Sequence, residues 1–86
     1  MDRIAFGKAL TRFVIDKNNW IVGYKIDNHA FGFVQKYTIY YFVEPSDIDD
    51  SEEKKVEKLT KQLFTALGFG VSEVLSDVKF IKTGGR

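Results

Sequence analysis

The sequence is 86 residues long, with a formal net charge of +1 at pH 7, 44% hydrophobic residues and 29% charged residues. These values favour one folded domain over residues 1–86 and argue against an intrinsically disordered chain. A net charge this close to zero supplies no long-range field to attract nucleic acid or a membrane surface. The chain has no cysteine, which excludes thiolate metal sites and thiol nucleophiles. Because no long apolar run or export signal occurs, we expect a cytoplasmic protein with no membrane partner.

The first predicted element is a helix over residues 3–15, where apolar side chains recur at helical spacing. Asp2 is the candidate N-cap of this helix. A second interpretation stays open, because residues 10–16 are rich in β-branched and aromatic side chains that also fit a strand.

Two strands follow. Residues 20–26 alternate in the manner of a strand, and residues 27–30 are predicted to form the turn of an antiparallel hairpin. The second strand runs from residue 31 to residue 43 and ends before Pro45, which lacks an amide proton. Since such a strand is longer than usual, we expect a bulge or an overhang past its partner.

A second helix is predicted over residues 51–67. Its proposed buried stripe consists of Val56, Leu59, Leu63 and Leu67. Acidic residues precede it, lysines follow, and Gly68 is placed to end it in a left-handed conformation with Phe69 folding back.

The last predicted element is a strand over residues 71–82, whose alternation breaks at Ser76-Asp77, where a bulge or a short turn would restore it. Residues 83–86 form a glycine-rich tail that we expect to be frayed. The order α-β-β-α-β predicts an α+β fold: a small antiparallel sheet of three to four strands with two helices on one face.

The segment from residue 31 to residue 43 is the most informative part of the chain, because both of its faces are apolar when it is read as a strand. One face carries Phe31, Phe33, Tyr37, Ile39, Tyr41 and Val43, and the other carries Val34, Thr38, Tyr40 and Phe42. With two helices covering one side, the other side needs a partner. We therefore expect a small non-catalytic interaction protein, an adaptor or inhibitor of the kind found in phages and mobile elements. It would bind a protein partner or a second copy of itself through Phe31, Phe33, Tyr37, Tyr40 and Tyr41.

The run Phe31-Gly32-Phe33-Val34 resembles the core of the octapeptide on the third strand of RNA-recognition-motif domains. That resemblance implies that Phe31 and Phe33 stack on bases. The sequence departs from the family at His29 and Ala30, where a basic residue and glycine belong, and at Lys36, where the last aromatic residue belongs.

The alternative function is therefore a single-stranded RNA- or DNA-binding domain. Its phosphate contacts would come from Lys25, Lys36, Lys54, Lys58 and Lys61. The three lysines of the second helix form one ridge, which is also typical of an ordinary solvent-exposed face.

No catalytic residue, metal ligand or cofactor site is predicted. An EF-hand starting at Asp47 needs glycine and glutamate where Glu52 and Lys58 stand, so the acidic run is interpreted as a helix cap. His29 is the only histidine and falls in the predicted turn, without a recognisable nucleophile motif. The segment Gly68-Phe69-Gly70 follows a helix, whereas a dinucleotide-binding loop precedes one.

Overall fold

A computed structural model describes residues 3–44 and 48–83 of the chain. Its elements are α1 (Arg3–Phe13), one turn of 3-10 helix (Ile15–Lys17), β1 (Ile21–Phe31), β2 (Val34–Val43), α2 (Asp50–Ala66) and β3 (Glu73–Lys82). The predicted α+β fold and its order α-β-β-α-β are confirmed, and residues 3–13 are helical. The predictions made for Asp2, Pro45, Asp47 and residues 84–86 lie outside the described residues.

The three strands of the described chain form one sheet in the order β1-β2-β3. β1 and β2 are antiparallel, but β2 and β3 are parallel. The prediction of a purely antiparallel sheet is therefore wrong, and the sheet is mixed. The reason is topological: α2 carries the chain back to the starting end of β2, and a helical crossover of this kind joins parallel strands.

The hairpin turn between β1 and β2 lies at Gly32 and Phe33, and the prediction of a turn at residues 27–30 is wrong. Those residues continue β1, and Phe31 pairs with Val34 to close a two-residue turn. Gly32 has a φ of 63°, a conformation that glycine adopts without steric cost. Turn position is thus set by the residue that supplies positive φ, and the polar residues 27–29 are accommodated within the strand.

The core lies between one face of the sheet and both helices. The buried hydrophobic side chains come from both helices, all three strands and the segments beside them: Phe6 and Leu10 of α1, Val14 just after it, Trp20 before β1, Ile21 of β1, Tyr37, Ile39, Tyr41 and Val43 of β2, Val56 and Phe64 of α2, and Val78 of β3. Alternate residues of β2 enter this core, because successive side chains of a strand point to opposite faces. Both helices thus cover the same face, and within residues 3–44 and 48–83 no helix covers the other face of the sheet.

The buried stripe of α2 is rotated from the predicted one. Val56, Thr60 and Phe64 are buried, Leu59 and Leu63 are only partly buried, and Leu67 lies beyond the helix with 43% of its surface exposed. Positions four residues apart lie on one side of a helix. The apolar pattern did not predict this stripe because one of its three residues is a threonine.

Thr60 is buried because its hydroxyl has two hydrogen-bonding partners. It donates to the carbonyl oxygen of Val56 at 2.8 Å and lies 2.7 Å from the hydroxyl of Tyr41. Since the Thr60 proton is committed to Val56, Tyr41 donates to Thr60. Burial raises the pKa of Tyr41 to about 12.

Both ends of α2 and the irregularity in β3 agree with the sequence. The Asp49 side chain accepts a hydrogen bond from the amide of Ser51 at 3.1 Å. Gly68 has a φ of 71°, and the ring of Phe69 returns to within 4.1 Å of the Phe64 ring, centroid to centroid. In β3 the register shifts between Leu75 and Asp77, which is the predicted bulge.

Candidate functional site

The sheet face opposite the helices is the candidate interaction surface, and we call it the open face. By strand register it consists of Lys25, Asp27, His29 and Phe31 of β1, Val34, Lys36, Thr38, Tyr40 and Phe42 of β2, and Val74, Asp77, Lys79 and Ile81 of β3. These residues alternate with the buried ones, so their side chains point away from the core.

An apolar stripe follows the central strand of the open face. Val34, Tyr40 and Phe42 are half-buried there. Neighbouring side chains of the same sheet cover part of their surface, and the part that points away from the sheet stays exposed to solvent. Val74 and Ile81 of β3 extend the stripe to one edge and are both among the exposed large hydrophobic residues. Lys36 and Thr38 interrupt the stripe, so its contiguous apolar part consists of Tyr40, Phe42 and Ile81. An exposed apolar patch marks an interaction site more often than scattered single residues do.

Two adjacent rows of opposite charge cross the open face from strand to strand. The cationic row is Lys25, Tyr40 and Lys79, and the anionic row is Asp27, Thr38 and Asp77. Within one chain the two rows already attract each other, since the Lys25 ammonium lies 3.6 Å from the Asp27 carboxylate. The open face is therefore apolar along its centre and charged on its flanks, with the sign changing from one row to the next.

The hairpin tip adds two exposed aromatic rings. Phe33 sits in the turn with 97% of its surface exposed, and Phe31 closes the turn on the open-face side. The ammonium of Lys36 lies 4.7 Å from the centroid of the Phe31 ring, within the range of a cation–π interaction. The tip therefore combines aromatic rings and positive charge.

Two of the five predicted partner-contact residues are not available to a partner. Tyr37 and Tyr41 are 3% and 0% exposed and lie in the core under the helices, so their prediction as contact residues is wrong. The prediction treated residues 31–43 as one strand, in which Phe31 and Tyr37 share a face. Because a two-residue turn separates Phe31 from β2 and pairs it with Val34, Phe31 instead shares a face with Tyr40. Phe33 lies in the turn and belongs to neither face.

Tyr37 has an internal role instead. Its hydroxyl donates a hydrogen bond to the Glu73 carboxylate at 2.7 Å, which ties β2 to the start of β3. Burial, together with this carboxylate, raises the pKa of Tyr37.

The predicted contact set leaves out Phe42 of β2 and the β3 residues of the open face. Phe42 follows Tyr40 by two positions, so the alternation itself carried the signal. The sequence contains no signal for the β3 residues, because the fold decides which strand lies beside β2 and in which register.

The five predicted nucleic-acid contacts are not brought together. Lys25 and Lys36 belong to the open face, whereas Lys54, Lys58 and Lys61 lie on the exposed side of α2, across the sheet. The residues that resemble the RNA-recognition octapeptide span the end of β1, the turn and the start of β2. They do not lie along one strand, as that family requires.

The nucleic-acid alternative predicts salt-sensitive binding that depends on Phe33. If bases stack on this ring, Phe33→Ala weakens binding of a labelled single strand by about 1–3 kcal/mol, and added salt weakens it steeply. We expect weak, nonspecific binding only, because few cations accompany the exposed rings. Fluorescence anisotropy at low and moderate salt measures both quantities. Tight binding that Phe33→Ala abolishes would overturn our ranking of the two functions.

Within residues 3–44 and 48–83, no group of three or more histidine, cysteine, aspartate and glutamate side chains is placed to hold a metal ion. His29 is an exposed residue of β1 and not of a turn. Neither α1 nor α2 combines the length and the apolar character that a bilayer-crossing helix needs.

No family model and no curated protein matches this sequence. The structure is similar to that of the MamB CTD, a magnetosome protein of Desulfamplus magnetovallimortis BW-1, with a TM-score of 0.66. The similarity covers 95% of this chain and 98% of that chain at 18% sequence identity. At this identity the similarity shows a shared fold, and it carries no residue-level role from one protein to the other.

Proposed function

We propose that the protein is a non-catalytic interaction domain that pairs with a second copy of itself through the open face. The observation that carries this proposal is the pair of adjacent, oppositely charged rows that cross the open face, with Tyr40 and Thr38 between their charged ends. A surface that presents both signs in adjacent rows is complementary to its own copy, as a two-fold symmetric interface requires.

The arrangement of the rows favours one orientation of the pair. In this orientation a two-fold axis lies in the interface, parallel to the rows and between them. Rotation about it places the two open faces against each other, so that each strand faces its own copy and the cationic row of one chain faces the anionic row of the other. Lys25 then faces the second copy's Asp27, and Lys79 faces the second copy's Asp77. An axis parallel to the strands would instead place each row on its own kind, and like charges would repel.

The same axis matches part of the apolar surface and places Phe42 over the second copy's Lys36. Ile81 comes to lie over the second copy's Val74, and Tyr40 lies over Thr38 between the paired charges. Exposed ion pairs contribute only about 0.2–1 kcal/mol each, so the apolar stripe supplies most of the affinity and the rows select the orientation. Two sheets packed face to face in this way are a common protein architecture.

The alternative occupant of the open face is a different protein, as an adaptor or inhibitor would require. Such a partner needs to match the alternating charge rows equally well. A second copy of the chain meets this requirement without any further assumption, which is why we rank self-association first.

Self-association predicts a concentration-dependent mass. Size-exclusion chromatography with light scattering is expected to show a shift from monomer to dimer as concentration rises. Tyr40→Ala removes the ring at the centre of the stripe and is expected to raise the dissociation constant about tenfold or more. Gln62→Ala, on the exposed side of α2, is the matched control and is expected to leave it unchanged. A protein that is monomeric at every accessible concentration contradicts the proposal.

A further inference from the structure

A groove of about 680 Å³ separates the side of α1 from β1, on the side of the sheet away from the open face. Tyr24 and Ile26 of β1 form its half-buried floor, and Ile4 and Thr11 line its helical wall. Gly7 allows α1 to lie this close, because a Cβ atom at that position would come within 2.6 Å of the Tyr24 hydroxyl oxygen. Ile4 is 72% exposed, so the wall presents apolar surface to solvent.

The rim of this groove is cationic. Arg3, Lys8 and Arg12 of α1 line the groove, and Lys8 and Arg12, four residues apart, lie on the same side of the helix. Lys25 of β1 also lines it, but by strand register its side chain belongs to the open face. Asp16 is the acidic residue among the lining side chains. The excess of positive charge distinguishes this groove from the open face, where the two signs alternate.

The groove also runs along an unpaired strand edge. Within the described residues β1 pairs with β2 alone. In an antiparallel pair only alternate residues direct their N–H and C=O groups at the partner strand, so the other residues of β1 direct theirs outward. An edge of this kind is a template for the addition of another strand.

We propose that this groove binds an acidic peptide in extended conformation, which adds to β1 as a fourth strand of the sheet. The peptide backbone pairs with the outward N–H and C=O groups of β1. Alternate side chains then point towards α1, where their carboxylates meet the ammonium of Lys8 and the guanidinium of Arg12. The methylene groups of glutamate side chains pack against Ile4 and the apolar floor.

A peptide fits this groove better than a nucleic acid, although both are anionic. A nucleic acid has no regular series of amide donors and carbonyl acceptors to match the edge of β1. The floor is formed by side chains packed into the core, so it offers no pair of free ring faces for bases to stack on. This inference does not depend on self-association, because the groove and the open face lie on different sides of the sheet.

The test uses a fluorescein-labelled peptide of about seven residues that alternates glutamate and valine. Fluorescence anisotropy is expected to show binding that weakens as salt is added, since the contacts include exposed ion pairs. The protein variant Lys8→Glu with Arg12→Glu is expected to raise the dissociation constant about tenfold or more. The matched control Lys54→Glu with Lys58→Glu makes the same charge change on the exposed side of α2 and is expected to shift it less than about twofold.

Two altered probes test the binding mode on the unmodified protein, independently of any effect on folding. A peptide with lysine in place of glutamate is expected not to bind. A glutamate peptide with N-methyl groups on alternate amides keeps its charge but cannot complete the strand pairing, and it is expected to bind about tenfold or more weakly.

The proposal is overturned by any of the following results. The first is no binding of the glutamate peptide up to about 1 mM. The second is equal binding to the α1 variant and the α2 control, or equal binding of the N-methylated probe. The third is displacement of the peptide by a short oligodeoxythymidine at lower concentration than by unlabelled peptide, which would assign the groove to nucleic acid.

Discussion

Phe64→Ala is expected to lower the free energy of unfolding by about 3–5 kcal/mol, measured by chemical denaturation. The Phe64 ring contacts three other aromatic rings, with centroid distances of 5.7 Å to Phe6, 5.8 Å to Tyr37 and 4.1 Å to Phe69. Those three rings come from α1, from the central strand and from the segment after α2. Removing Phe64 therefore opens a cavity at the point where all the layers meet, and surrounding side chains can close it only in part.

Lys58→Ala is the control for this prediction. Lys58 is exposed on the opposite side of the same helix, so its substitution is expected to change the free energy of unfolding by less than about 0.5 kcal/mol. For a domain whose total stability is about 5–15 kcal/mol, the Phe64 effect is a large fraction and the Lys58 effect is negligible. Equal effects of the two substitutions would show that α2 packs against the sheet through another face.

Reversing one charged row is expected to abolish self-association. In the variant with Lys25→Asp and Lys79→Asp both rows are acidic, and in the variant with Asp27→Lys and Asp77→Lys both are basic. Each variant then places like charges against each other across the two-fold axis, which costs several kcal/mol. We expect both variants to be monomeric under conditions in which the unmodified chain is a dimer, a weakening of about 100-fold or more.

An equimolar mixture of the two variants is the decisive measurement. The acidic rows of one variant face the basic rows of the other, so the mixture is expected to form a heterodimer that light scattering detects. Circular dichroism confirms that each variant is folded, which matters because the Asp77 carboxylate accepts a hydrogen bond from the amide of Val78 at 2.8 Å. If both variants still form homodimers, or if their mixture stays monomeric, the two copies do not meet through the charged rows.

Local signals in the sequence were sufficient for the elements and their order. The helical spacing of residues 3–13, the acidic cap and Gly68 at the two ends of α2, and the broken alternation in β3 each depend on neighbours in the chain. Interactions of this kind act over a few residues, so they are visible without knowledge of the fold.

The hairpin shows where local signals compete. Residues 27–30 contain polar residues that favour a turn, and Gly32, two residues beyond that segment, has the positive φ that the observed turn uses. Only the pairing of β1 with β2 along its whole length decides between them, because it is stabilised by many cross-strand contacts at once. The position of the turn determines which aromatic side chains share a face with Phe31. Tyr37 and Tyr41, predicted as contact residues together with Phe31, lie on the opposite face, in the core.

The sequence by itself thus determined that the chain folds as α-β-β-α-β and that its aromatic strand has two apolar faces. Tertiary structure alone decided three further features: the parallel placement of β3, the burial of Thr60 against Tyr41, and the alignment of Lys25 and Asp27 with Lys79 and Asp77 in two rows. The physical reason is that each of these features joins residues far apart in the chain. Their proximity arises from strand register and helix packing, and no periodicity along the sequence encodes it.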